Sequence, residues 1–166
     1  MSPPDTFHVA LVEPEIPGNT GNISRLCAGL RVPLHIVGEP GFRMDDAAVR
    51  RAGLDYWPHV DLHRHAGMPE LSDALPRSRL LYLTTKARRP YTDLKFHPGD
   101  CLVFGRETRG LPDDLLQAHP ERCFAIPMFH PAVRSLNLSN AVAVVVHEAL
   151  RQTGAFAGWE RADGLG

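Results

Sequence analysis

Cysteine is scarce in this chain of 166 residues: there are three, Cys27, Cys101 and Cys123. Each stands alone in an apolar stretch and no CxxC pair exists, which argues against a disulfide framework and for reduced core thiols. Histidine and cysteine fall at no zinc spacing, so no metal is expected. Long hydrophobic runs are missing as well. No window approaches the roughly 18 apolar residues of a membrane span. The N-terminus, MSPPDTFHVALVEPEIP, has neither the basic start nor the apolar stretch of a leader. A cytoplasmic protein with no membrane partner is expected. Charge of one sign is also lacking: 18 Lys and Arg face 19 Asp and Glu, for a net charge of −1. A nucleic-acid site must then come from local clusters such as Arg50 with Arg51, Lys86 with Arg88 and Arg89, and Arg106 with Arg109. No GxGxxG follows a strand and no GxxxxGK[ST] occurs, which removes the ordinary dinucleotide and P-loop sites.

Apolar residues make up 43 % of the chain, enough for the core of one domain over residues 1–154, with a tail at 155–166. Short apolar runs at 7–12, 34–38, 79–83, 101–104 and 123–127 read as strands. Helical patterns cover 19–30, 44–53, 68–75, 112–119 and 137–154, the first capped by Asn19 or Thr20 and the last followed by Gly154. Strands of four to six residues alternating with helices predict an α/β domain around a parallel sheet. The last helix is apolar on every side from Ala141 to Val146 and is expected to be buried.

In parallel α/β sheets ligands bind beyond the carboxyl ends of strands. Besides TTKARRPYTD after the strand at 79–83, three stretches at such ends carry unusual polarity. PEIPGNTGN follows the first strand, and in it Asn19, Asn22 and Arg25 recur at three-residue spacing on one expected helix face. GRETRGLP follows the strand at 101–104. There Gly105 and Gly110 permit close approach or positive φ, and Arg106 and Arg109 flank Glu107, with which they are expected to pair. PMFHPAVRSLNLSN precedes the last helix and places Arg134, Ser135, Asn137, Ser139 and Asn140 at its mouth, where capping needs one of the five. Glu13 and Glu15, two apart across a proline, read as flanking a turn.

PEIPGNTGNISRLCAG, VFGRETRGLP and IPMFHPAVRSLNLSNAVAVVVHEALRQ together resemble the three motifs of the SPOUT superfamily of RNA methyltransferases. They most resemble its minimal single-domain branch, the tRNA wobble-nucleotide ribose 2′-O-methyltransferases. RRAGLDYW (50–57) and LTTKA (83–87) fit the same branch, and the likeness runs from about residue 7 to 153.

That resemblance implies a parallel-sheet α/β knot fold with a C-terminal trefoil knot, S-adenosylmethionine as methyl donor, and a homodimer whose active sites are built from both chains. The donor would meet Leu83, Thr84, Gly105, Glu107, Gly110, Ile126, Met128, Ser135, Leu136 and Asn140. Arg25, Glu107, Asn137 and Ser135 would be catalytic, with Arg25 serving the partner's site. Asn19, Arg50, Lys86, Arg88, Arg89 and Arg109 would contact the tRNA anticodon loop, where the wobble cytidine or a modified uridine is methylated. Two positions depart from the pattern: Arg106 replaces a frequent proline, and His147 a frequent tyrosine. A ribose 2′-hydroxyl is barely acidic, so the site must take its proton or stabilise the alkoxide while holding it about 3 Å from the methyl carbon. The alternatives are a ribose or base methyltransferase of another RNA, such as ribosomal RNA, and a non-enzymatic RNA-binding protein on the same fold.

Overall fold

The computed structural model describes residues 6–45, 47, 51 and 56–160. Six strands form one parallel sheet: β1 (His8–Val12), β2 (Leu34–Val37), β3 (Leu62–His65), β4 (Leu80–Leu83), β5 (Cys101–Phe104) and β6 (Cys123–Phe124), in the order β3-β2-β1-β5-β4-β6. Among the described residues, four α-helices cover it: α1 (Pro17–Leu30), α2 (Met68–Ala74), α3 (Asp113–Ala118) and α4 (Leu138–Gln152).

Both faces of β1, β2, β4 and β5 are buried, which is why these strands read as continuous apolar runs. Val9, Leu11, Leu34, Ile36, Leu81, Leu83, Leu102 and Phe104 pack with Ile23 and Cys27 of α1 and Val142, Val145, Val146 and Ala149 of α4. Ala10, Val12, Val37, Tyr82, Cys101 and Val103 face Leu71 of α2 and Leu116 of α3. All three cysteines are buried and free. Burial pushes the Cys27 thiol up to about 12 and raises Cys101 and Cys123.

Several expectations are corrected. β3, with sequence LHRH, escapes an apolar-run reading because it is an edge strand whose side chains are half-buried or exposed. β6 is only two residues long. Helix α1 starts at Pro17, where the missing N–H costs nothing, and no side chain caps it. Asn19 turns elsewhere, and the buried Thr20 hydroxyl has no hydrogen-bond partner among the described residues. Asn137 does cap α4, accepting from the Ser139 amide at 2.9 Å, and Gly154 follows the helix with φ +74°. Helix α4 is not buried on every side: Val144 is 37 % exposed. The tail is not wholly loose, since Phe156 stacks on His147 with ring centroids 5.6 Å apart. Most of the helix expected at 44–53, and Arg50 with it, lies outside the described residues.

Candidate active site

A cleft of about 600 Å³ opens at the carboxyl ends of β1, β4 and β5. Leu83, Phe104, Ile126, Leu136, Leu138 and Ala141 give it an apolar wall, while Asn19, Thr84, Glu107, Ser135 and Asn137 supply the polar side. Its place matches the general rule for parallel sheets, beside the point where the chain switches from one half of the sheet to the other.

The three polar stretches singled out in the sequence meet here. Glu107 is held by the β1–α1 turn: its carboxylate accepts from the Glu15 amide at 2.8 Å, the Ile16 amide at 3.1 Å and Asn19 Nδ2 at 3.3 Å. Asn19 Oδ1 accepts from Asn137 Nδ2 at 3.1 Å. Asn137 Oδ1 in turn accepts from Ser139 Oγ at 2.6 Å. One chain of hydrogen bonds therefore runs Glu107–Asn19–Asn137–Ser139 across loops distant in sequence.

The expected pairing of Glu107 with its flanking arginines does not occur. Arg106 Nη2 reaches back to Glu13 Oε2 at 2.7 Å, and Arg109 is exposed on the cleft wall. Glu15 accepts from Thr108 Oγ1 at 2.6 Å. Glu13 and Glu15 thus do more than flank a turn: with Glu107 they clasp the 105–110 loop to the β1–α1 turn. Three acceptors and donors alternating along two loops were the available signal, but Glu13 stands at φ +48°, which no spacing reveals.

The two glycines of GRETRG serve different needs. A Cβ on Gly105 would lie 2.1 Å from the Gly110 carbonyl carbon and 2.2 Å from the Leu111 nitrogen, so the loop folding back on itself requires a bare backbone there. Gly110 has open space around it but a φ of +65°, and its amide donates to the Arg106 carbonyl at 2.9 Å.

Among the expected donor-binding residues, Leu83, Thr84, Gly105, Glu107, Gly110, Ile126, Ser135 and Leu136 all line the cleft. Met128 and Asn140 do not. Asn140 belongs with Arg25, Asn22, Leu26 and Ala143 to a separate shallow depression between α1 and α4. Arg25 therefore sits outside its own chain's cleft, its guanidinium 4.8 Å above the Tyr56 ring. The shared helix face expected for Asn19 and Arg25 fails for a simple reason: six residues at about 100° each leave the two side chains about 120° apart. Asn19 itself, expected toward RNA, is 6 % exposed and uses both ends of its amide inside the protein. Of the expected RNA cations, Lys86 pairs with Asp113, and Arg89 lies 4.6 Å over Phe124 and donates to the Glu121 carbonyl. Arg88 is exposed.

A cleft at the carboxyl ends of a parallel sheet marks a ligand site, and comparison with known proteins assigns the class. The SpoU rRNA Methylase family matches residues 6–147, and the chain belongs to it. It is 50 % identical over 155 residues to the tRNA (cytidine(34)-2′-O)-methyltransferase of Polaromonas sp. (strain JS666), covering 92 % of this chain and 93 % of that one. The protein of the same description from Escherichia coli (strain K12) is 49 % identical over 149 residues, covering 89 % and 94 %. A solved structure concerned with 2-OH methylation of C/U34 on tRNA superposes with a TM-score of 0.86 at 42 % identity, over 92 % of this chain and 99 % of that one. The SpoU methyltransferase AviRb from Streptomyces viridochromogenes, solved with AdoMet, shares the fold at a TM-score of 0.81 and 24 % identity, over 91 % of this chain and 62 % of that one.

Proposed function

We infer that this protein transfers a methyl group from S-adenosylmethionine to the ribose 2′-hydroxyl of the wobble nucleotide, a cytidine or modified uridine, in the anticodon loop of tRNA. The observation that carries the reading is the hydrogen-bonded chain Glu107–Asn19–Asn137–Ser139 at the cleft, which joins all three motif loops in a family whose near relatives are described as tRNA methyltransferases.

The cleft suits the donor. Its volume lies in the range of small-molecule sites, and its apolar wall suits adenine while its polar side suits ribose and the methionine ends. Leu83, Thr84, Gly105, Ile126 and Leu136 would hold the nucleoside. When bound, S-adenosylmethionine supplies an electrophilic methyl on a sulfonium. The protein's own work is to orient and activate the hydroxyl. Ser135 and Asn137, at the cleft in the segment that leads into α4, are placed to hold the ribose. Glu107 keeps the β1–α1 turn against the 105–110 loop and so acts through position.

Arg25 is assigned to the partner's site in a homodimer. Its place outside its own cleft supports this, as does the surrounding surface of Leu26, Ala143 and Val144, which is apolar and at least partly exposed in a single chain. Guanidinium groups do not deprotonate in proteins. Arg25 would therefore stabilise the developing alkoxide by charge and hydrogen bonding, which is worth most in a preorganised site. The trefoil knot belongs to the same reading. It is supported by the route of the chain after β6, which lines the cleft at Ile126 and again at 134–138 before α4 packs on α1.

The test is mass spectrometry of separated RNA pools after incubation with the protein and S-adenosylmethionine. A 2′-O-methyl group on nucleotide 34 of tRNA is expected. Methyl groups confined to ribosomal RNA, or placed on a base, would overturn the reading.

A further inference from the structure

Phe129 is 99 % exposed, the most exposed of the large apolar side chains among the described residues. It stands in the loop between β6 and α4, between Ile126 and Arg134, both of which line the cleft. Phe129 itself does not line it. Beside it the loop is drawn into a turn: the Val133 amide donates to the His130 carbonyl at 3.1 Å, and the Ala132 amide to His130 Nδ1 at 3.1 Å. Pro127 and Pro131 restrict the backbone on either side. The ring is therefore displayed by a pre-shaped loop, so little ordering entropy is lost when something covers it. Two more apolar side chains, Val133 in the same loop and Ile16 in the β1–α1 turn, are about half exposed, at 49 % and 47 %. The charges at the cleft include Arg109 and Arg134, both exposed.

An exposed aromatic ring in a loop that also brings an exposed arginine, Arg134, to a cleft suits unpaired nucleotides: phosphates meet guanidinium groups and a base lies on the ring. We propose that Phe129 is a stacking platform for a base neighbouring the methylated nucleotide in the anticodon loop. The position outside the cleft selects the neighbour, since the target nucleotide must enter the cleft for its 2′-hydroxyl to meet the donor. The proposal rests on the functional reading above and adds a substrate contact to it. It explains how a chain of net charge −1 grips RNA: part of the affinity comes from stacking.

The experiment uses the full-length protein and an anticodon stem-loop RNA carrying 2-aminopurine on one side or the other of nucleotide 34. Wild type, Phe129→Ala, Phe129→Leu and Phe129→Trp are compared by fluorescence titration, single-turnover methylation and sedimentation. In Phe129→Ala the Kd for RNA should rise about tenfold, as for loss of one stacked base. Phe129→Leu should behave like Phe129→Ala, and Phe129→Trp should restore binding, because the aromatic face and not the apolar bulk is what the base uses. Quenching of 2-aminopurine at one of the two positions should be present with wild type and Phe129→Trp and absent with the other two. S-adenosylmethionine affinity and the methylation rate at saturating RNA should stay within a few-fold. Phe129→Ala binding the RNA within twofold of wild type would overturn the inference and leave the functional reading standing. So would a variant altered only in its monomer–dimer equilibrium, which would mean that the ring covers a second copy of the chain. Wild type failing to methylate nucleotide 34 would overturn the functional reading and this inference with it.

Discussion

Asn19 stands between Glu107 and Asn137, donating from Nδ2 to the carboxylate at 3.3 Å and accepting at Oδ1 from the second asparagine at 3.1 Å. One buried amide thus locks the loop after β5 and the turn before α4 to the first turn of α1. Replacing it leaves Asn137 Nδ2 without its acceptor and takes one of three donors from the Glu107 carboxylate. Asn19→Ala should lower the unfolding free energy by about 1–3 kcal/mol, the cost of unsatisfied buried groups. It should also slow methyl transfer at saturating substrates. Urea denaturation alongside single-turnover kinetics checks both; a variant as stable and as fast as wild type would show that the strut carries neither.

Gly105 and Gly110 should differ sharply when changed to alanine. At Gly105 the new Cβ meets backbone at 2.1 Å, which no side-chain rotation relieves. The loop must open, at about 3 kcal/mol or more, and S-adenosylmethionine binding should fall with it. Gly110→Ala meets only the strain of a positive φ, about 1 kcal/mol. Calorimetric titration with S-adenosylmethionine and urea midpoints for both variants measure the contrast.

Arg25→Ala should keep the fold and the donor affinity while single-turnover methylation drops by about two orders of magnitude, as for loss of a preorganised charge donor. Arg25→Lys should recover little, because the planar fork is lost. If Arg25 acts on the partner's site, mixing Arg25→Ala with Asn137→Ala should restore activity. About half the dimers would then pair unlike chains, each with one intact site, returning about a quarter of the wild-type rate. No recovery on mixing would place Arg25 and Asn137 in a site built by a single chain.

Acid should destabilise the protein through one sheet face. His8, His35, His63 and His65 share it, with His35 bonded to His8 at 3.1 Å and to His65 at 2.8 Å. Burial, followed by the charges of His8, His63 and His65, lowers His35 to about 3. His8 and His65 are lowered as well, burial again leading, with Asp61 opposing at His8 and Glu70 at His65. In the unfolded chain these imidazoles take protons near pH 6.5. Below that value the unfolded state binds more protons, so stability is fully present above pH 6.5 and is lost as pH falls toward 3. The slope for His35 alone is at most about 1.4 kcal/mol per pH unit. Urea midpoints from pH 7.5 to 5 should fall for wild type and fall less for His35→Phe.

Arg88 and Arg89, adjacent in sequence, should separate by function. Arg88 is exposed, so Arg88→Ala should weaken RNA binding and reduce the log–log salt slope by about one, the value of one phosphate contact. Arg89 is engaged with Phe124 and the Glu121 carbonyl, so Arg89→Ala should move the melting temperature more than the salt slope.

Much of this protein is written in local pattern. Strands buried on both faces need apolar side chains at every position, so β1, β2, β4 and β5 stand out as runs and the parallel α/β class follows from their alternation with helices. The polar loops at the strand ends are equally visible, because a buried sheet has no structural use for so many asparagines, arginines and glycines there. Pairing across the sheet is what local pattern does not carry. Nothing in LHRH marks an edge strand, since an edge with exposed side chains needs no apolar alternation. Nothing near Glu107 tells that its partners lie more than 85 residues earlier, at Glu15, Ile16 and Asn19, and not in the arginines beside it. Gly105 is required by a backbone that returns five residues later, a contact made only when the loop closes. The direction of Arg25, away from its own cleft, was decided by the packing of α1 on α4 and the β sheet, which turned one face of the helix inward and left the other exposed.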